Sequence, residues 1–114
     1  MKKDFIIFIE HILESIKNIE DFMSGVSEKE FIKNKEKQSA VIRQIEIIGE
    51  AVKNLPKEFT ERHPILPWKD IAGMRDKVIH NYFGIDIVVV LKTIQEDIPN
   101  LKQKISQIKK ELDS

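Results

Sequence analysis

One rhythm governs this chain. Its longest regular apolar series recur every three or four positions. Phe5, Ile9, Ile12, Ile16, Ile19 and Met23 step 4-3-4-3-4, Val41, Ile45, Ile48, Val52 and Leu55 step 4-3-4-3, and Leu91, Ile94, Ile98, Leu101, Ile105, Ile108 and Leu112 step 3-4-3-4-3-4. At about 100° per residue this spacing falls on one face of an α-helix, whereas a strand would scatter it over both faces. A helix with one apolar stripe must bury it against another helix, so the expected fold is all-α, most simply an antiparallel four-helix bundle. The run Ile87-Val88-Val89-Val90 has strand propensity. The heptad continues through Leu91, however, and no second strand offers itself as a partner, so this run is expected to be helical.

Local signals set the boundaries. The first helix should end at Ser24-Gly25. Ser27-Glu28-Lys29-Glu30 reads as a capping box, with Ser27 as N-cap and Glu30 reaching back to its amide. A second helix is expected from there to about Leu55, ended by Pro56, its more polar first half (Phe31 to Gln38) free to project beyond the core. Three prolines between Pro56 and Pro67 imply a loop with at most a short helical turn. Pro67 suits the first turn of a third helix, Trp68 to about Tyr82, closed by Gly84. Asp86 is the expected N-cap of the last helix, which Pro99 should kink or split. Ile6, Phe8, Ile42, Ile47 and Val88 lie off the stripes and leave room for a second apolar face that a partner chain could cover.

Composition then narrows the function classes. With 114 residues and no linker or repeat, one domain spanning 1–114 is expected. There is no Cys, which excludes disulfides and thiolate zinc sites. The three His (His11, His63, His80) show no metal-ligand spacing, so no metal is expected. No phosphate-cradling glycine motif occurs, and no cofactor is implied. No segment has the ~18–20 uncharged apolar residues of a membrane span, and no signal peptide is legible, so a cytoplasmic protein is expected. Nineteen Lys and Arg balance nineteen Asp and Glu, which disfavours non-specific coating of nucleic acid but permits a local basic site. Lys33, Lys35 and Lys37, and Lys102, Lys104, Lys109 and Lys110, form two basic runs, read either as solvated helix faces or as a phosphate track.

The segment from Gly73 to Gly84 concentrates Arg75, Asp76, His80, Asn81 and Tyr82. On one continuous helix, Arg75 and Tyr82 would be nearly eclipsed, and Asp76 and His80 would be surface neighbours. Arg offers a fixed fork that matches phosphate oxygens, and His moves protons near neutral pH. Together they suit RNA cleavage, in which a 2′-hydroxyl attacks its own phosphate once its proton is removed and the added charge is held. The same residues would also sit comfortably on a solvated helix face, with Asp76 and His80 as a surface pair. Glu50, two positions from both Ile48 and Val52, is read either as pointing inward to pair with Arg75 or a partner Lys, or as exposed.

Arg75-x-x-x-x-His80-x-Tyr82 resembles the R-x4-H-x-Y motif of HepT-like proteins, a branch of the HEPN superfamily. The likeness extends to Ile47-Ile48-Gly49-Glu50-Ala51, to Pro67-Trp68 with Ile71-Ala72-Gly73-Met74-Arg75, to Tyr82-Phe83-Gly84-Ile85-Asp86 and to Asp97-Ile98-Pro99. The resemblance implies an all-α HEPN-type bundle that forms a homodimer, with the two motifs near one another in an interface cleft. It implies a metal-independent endoribonuclease, the toxin of a type VII toxin–antitoxin pair, whose MntA-like nucleotidyltransferase antitoxin transfers AMP to the motif tyrosine. Carried onto this chain, Arg75 would hold the scissile phosphate, His80 would be general acid/base, and Tyr82 would accept AMP. Asp76, Asn81 and Glu50 are expected in support, although a carboxylate at Asp76 could orient His80 or repel RNA. The alternative is a non-catalytic HEPN module that docks a nucleotidyltransferase or senses a nucleotide, since a fold alone does not decide function.

Overall fold

The computed structural model describes residues 5–80 and 84–113. Among them the isoleucine stripes meet as the spacing requires. Helix α1 (Ile6–Met23) packs along α3 (Lys35–Lys53), and α8 (Ile98–Asp113) lies against α1. Ile9, Ile12, Ile16 and Ile19 of α1, Val41, Ile45, Ile48 and Val52 of α3, and Ile98, Leu101, Ile105 and Ile108 of α8 are all buried. Each fully buried side chain of this size contributes roughly 1.5–3 kcal/mol, which makes these three stripes the main stabilising element of the fold.

The segment entering α3 departs from the single long helix that the spacing suggests. Helix α2 (Glu28–Lys33) stops at Asn34, and α3 starts afresh at Lys35. The capping box at Ser27 is present, with the Ser27 hydroxyl accepting from the Glu30 amide and the Glu30 carboxylate accepting from the Ser27 amide. Asn34 then caps again, its side-chain oxygen accepting from the Lys37 amide at 2.9 Å. An Asn offers the backbone this local alternative to continuing a helix. Nor does the polar first half project from the core. Phe31 is fully buried, and the buried Gln38 amide donates to the carbonyls of Phe31 and Ile32, so that the break is tied to the bundle.

The proline-rich stretch contains a helix, α4 (Lys57–Arg62), rather than a loop with one turn. Phe59 anchors it, stacked on Phe5 with ring centroids 4.8 Å apart and tilted against Trp68 at 5.9 Å. The Trp68 indole donates to the His63 carbonyl at 2.8 Å, which fixes the entry into the next helix.

The expected third helix is broken twice. It runs as α5 (Trp68–Ala72), pauses at Gly73, resumes as α6 (Met74–Val78) and then turns extended at Ile79. Ile79-His80 pairs antiparallel with Gly84-Ile85, a two-residue ladder that closes a hairpin without forming a sheet layer. The helix ends here because the Val78 carbonyl accepts from the Asp86 amide at 2.8 Å instead of from a next helical turn. Gly84 has φ of +82°, a conformation that costs a glycine little and a side-chain-bearing residue more.

Asp86 caps the last helix as expected, its carboxylate accepting from the Val89 amide. That helix is joined from α7 (Ile87–Lys92), a π-helical turn (Thr93–Asp97) and α8. Pro99 withdraws the N–H that would satisfy the carbonyl of Gln95, four residues earlier. The wider π turn sits at that point and lets the rod continue. The helical reading of Ile87 to Val90 holds. The off-stripe residues do not share one face: Ile42 is in the core, while Val88 is exposed. Among the described residues no helix is long and apolar enough to cross a membrane.

Candidate functional site

The site begins with a close helix crossing. On α3, Gly49 faces the α5–α6 junction, where a Cβ added to it would lie 3.0 Å from the Ala72 carbonyl oxygen. Only a residue without a side chain lets the two backbones approach this closely. The crossing draws Arg75, on the first turn of α6, toward the exposed edge of α3. Arg43, Glu46, Glu50 and Lys53 lie along that edge, spaced 3-4-3, a charged stripe beside the apolar one.

Arg75 and Glu46 meet across this crossing. The Arg75 Nε donates to Glu46 Oε2 at 3.3 Å. The Arg75 side chain is 42% exposed and that of Glu46 is 32% exposed, so the pair is partly shielded from water. A second carboxylate, Asp76 Oδ1, lies 3.5 Å from Arg75 Nη1, but it is on the open surface. Arg43 Nη1 approaches the other oxygen of Glu46 at 3.9 Å. Glu46 therefore bridges two guanidinium groups. Arg43, Glu46, Gly49, Glu50, Lys53, Ala72, Arg75 and Asp76 enclose an open groove of about 400 Å³. Its lining carries both signs, three basic and three acidic side chains. Such a lining suits a polar or phosphorylated ligand that can exchange carboxylates for its own oxygens on the arginines.

The residues singled out in the sequence are brought together only in part. Arg75 and Asp76 line the groove. Glu50 lines it too, but it is exposed and approaches Lys53 at 3.7 Å, not Arg75. His80 is described through its backbone alone, which belongs to the extended ladder and not to the helix of Arg75. The helical relations expected between Asp76 and His80 and between Arg75 and Tyr82 therefore do not apply, because helical register is lost after Val78. Asn81 and Tyr82 lie outside the described residues. The basic runs are partly committed to structure. The Lys37 ammonium donates to the Phe22 carbonyl, and that of Lys102 to Glu20, both at 2.8 Å. Among the described residues no group of three or more His, Asp and Glu side chains could hold a metal ion.

Sequence reasoning missed Glu46 as the partner of Arg75. The signal was present as the second 3-4-3 stripe on α3, with Gly49 beside it. Glu50, two positions from both Ile48 and Val52, is the carboxylate that the apolar spacing points to instead. Which carboxylate meets Arg75 depends on the crossing angle of α3 and α6, which periodicity does not encode.

Comparison with known proteins connects this geometry to a lineage. A family model described as ribonuclease HepT-like matches residues 12–108. The chain is 47% identical over 110 residues to "Probable ribonuclease HepT" of Thermococcus cleftensis, covering 96% of this chain and 100% of that protein. It is 50% identical over 113 residues to "Gamma-glutamylcyclotransferase and putative RNase MJ0434" of Methanocaldococcus jannaschii, covering 99% of this chain but only 51% of that protein, so it spans about half of that relative's length. No solved structure matches. The all-α bundle, the R-x4-H-x-Y spacing and a match over most of the chain agree, and the chain belongs to the HepT-like ribonuclease family.

Proposed function

We propose that this chain is an endoribonuclease that cleaves RNA by metal-independent transesterification, and that it acts in the cytoplasm as the toxin of a type VII toxin–antitoxin pair. In this reading two copies form a homodimer, and the Arg75–His80 segments of both lie about one interface cleft. His80 removes the proton from a ribose 2′-hydroxyl. The 2′-oxygen attacks the adjacent phosphorus, the bond to the 5′-oxygen breaks, and that oxygen leaves with a proton. The products are a 2′,3′-cyclic phosphate and a free 5′-hydroxyl. Arg75 holds the phosphate and stabilises the charge that builds on its oxygens. Asp76 and Asn81 flank these groups and assist in their placement.

One observation supports this reading most directly. The half-exposed Arg75 side chain lines an open groove of about 400 Å³. Silencing follows from the same chemistry. A cognate MntA-like nucleotidyltransferase would join the Tyr82 phenolic oxygen to the α-phosphorus of ATP and release pyrophosphate. The attached AMP would add a negative charge and bulk to the motif segment, and so compete with RNA for it.

The test is cleavage of tRNA and single-stranded RNA by the purified chain in EDTA. Arg75→Ala should lower the rate by about 10²–10³-fold, the usual cost of losing one donor to transition-state charge, and His80→Ala should lower it comparably. Equal cleavage by wild type and both variants would remove the catalytic assignment. Incubation with the nucleotidyltransferase and ATP should add AMP to wild type but not to Tyr82→Phe. A second reading, the non-catalytic module, is favoured by the two carboxylates already beside Arg75. It predicts nucleotidyltransferase binding with no cleavage.

A further inference from the structure

The groove contains a device that the reaction above does not yet use. Glu46 lies one helical turn before Gly49 on the same face of α3, and Gly49 is what allows the α5–α6 junction to come within its reach. Of the charged groups on that edge, Glu46 is the most shielded, at 32% exposed. Its Oε2 accepts from the Arg75 Nε. An arginine has two ways to present a bidentate fork: side-on through Nε and one amino group, or end-on through Nη1 and Nη2. Engaging Nε removes the first and leaves the second. The Asp76 contact on Nη1 is longer and on the open surface, so a phosphate oxygen can displace it.

We infer that Glu46 is the positioning residue for Arg75, fixing the guanidinium by its Nε so that the terminal amino pair is the face offered to the scissile phosphate. This rests on the ribonuclease reading above. A half-exposed ion pair contributes little to stability, so the role is separable from folding. What Glu46 supplies instead is restriction of a long, rotamer-rich side chain before substrate arrives. That matters most in the transition state, where a misplaced donor costs rate.

The experiment combines kinetics with NMR on the full chain. Glu46→Ala should lower kcat on single-stranded RNA about tenfold while changing KM by less than about threefold. It should move the melting temperature by no more than about 4 °C. Glu46→Gln, whose amide oxygen can still accept the Nε proton, should recover most of that loss. In an Arg75→Ala background, Glu46→Ala should change the residual rate by less than about twofold, because the two act as a unit. The Arg75 Nε–H resonance should exchange faster with water in Glu46→Ala than in wild type, a readout that needs no activity.

An Arg75-dependent wild-type rate that Glu46→Ala leaves unchanged would overturn the positioning role and spare the ribonuclease reading. So would an equal loss in both backgrounds, or an unaltered Nε–H exchange. A wild-type chain that does not cleave, or that cleaves as well as Arg75→Ala, would overturn the ribonuclease reading and the role with it. If Glu46→Ala fails to fold, Glu46→Leu, which has no oxygen to accept the Nε proton, decides the question in both backgrounds. A melting temperature lost in both variants would identify Glu46 as structural and overturn the proposal.

Discussion

The α1–α3–α8 layer and the segment 68–80 are built from the same kinds of residue but held by different forces. The first is a set of long helices whose buried stripes follow from residue spacing alone. The second changes conformation at Gly73 and again at Ile79 within a few residues, and its course is set by contacts with distant parts of the chain. Val78 and Met74 are buried like the stripe residues, yet the helix that carries them is only five residues long. Burial in the first region stabilises the fold. In the second it holds in place a segment that also carries exposed chemistry, with Arg75 and Asp76 between the buried Met74 and Val78.

Substitutions can sharpen this contrast. The largest stability effect belongs to the stripe. Ile45→Ala, at a fully buried position, should cost about 2–5 kcal/mol in urea unfolding and shift the midpoint without altering kcat of the molecules that remain folded. A loss under 1 kcal/mol would mean that the long-helix layer is not the main source of stability. Gly49→Ala probes the junction between the regions. The added methyl meets a backbone oxygen at 3.0 Å, so it should destabilise by about 1–3 kcal/mol and also reduce activity, because the crossing that brings Glu46 to Arg75 is pushed apart. Unchanged activity with lowered stability would show that the crossing packs the bundle without shaping the site.

Smallest is the capping box, far from the groove. Ser27→Ala should cost about 1 kcal/mol and leave cleavage untouched. The box also gives stability an acid dependence. The Ser27 backbone N–H, then its hydroxyl, hold the Glu30 carboxyl below its ordinary value. A carboxyl depressed in the folded state stabilises above its unfolded pKa, and that contribution is lost as pH falls through the folded one. Glu30→Gln should therefore flatten the decline in melting temperature on the acid side of the usual carboxylate range. An identical acid profile in wild type and variant would contradict the link.

Legibility in the sequence followed the same division. The stripes on α1, α3 and α8, the capping box, the Asp86 cap and the interruption near Pro99 were readable because each is a local pattern of spacing, hydrogen-bonding side chains or a missing N–H. The continuous second helix and the continuous third helix were over-extended. Asn34 is tolerable inside a helix, and only Gln38 packed over the break commits it to ending one; the end of the third helix at Ile79 follows from the Val78–Asp86 bond, which no local pattern announces. Arg75 was legible as a candidate from its motif. Glu46 was not, since nothing local distinguishes it from the other acidic residues of α3.

By itself the sequence determined that this chain is helical, which faces are apolar and which short segment gathers the polar chemistry. All three depend on neighbours within about two turns, the range over which a helix repeats itself. Where the helices of that segment stop, and which carboxylate holds Arg75, was decided by tertiary structure. The first turns on the bond between Val78 and Asp86, and the second on how closely two backbones cross at Gly49, a distance set by packing between residues more than twenty positions apart.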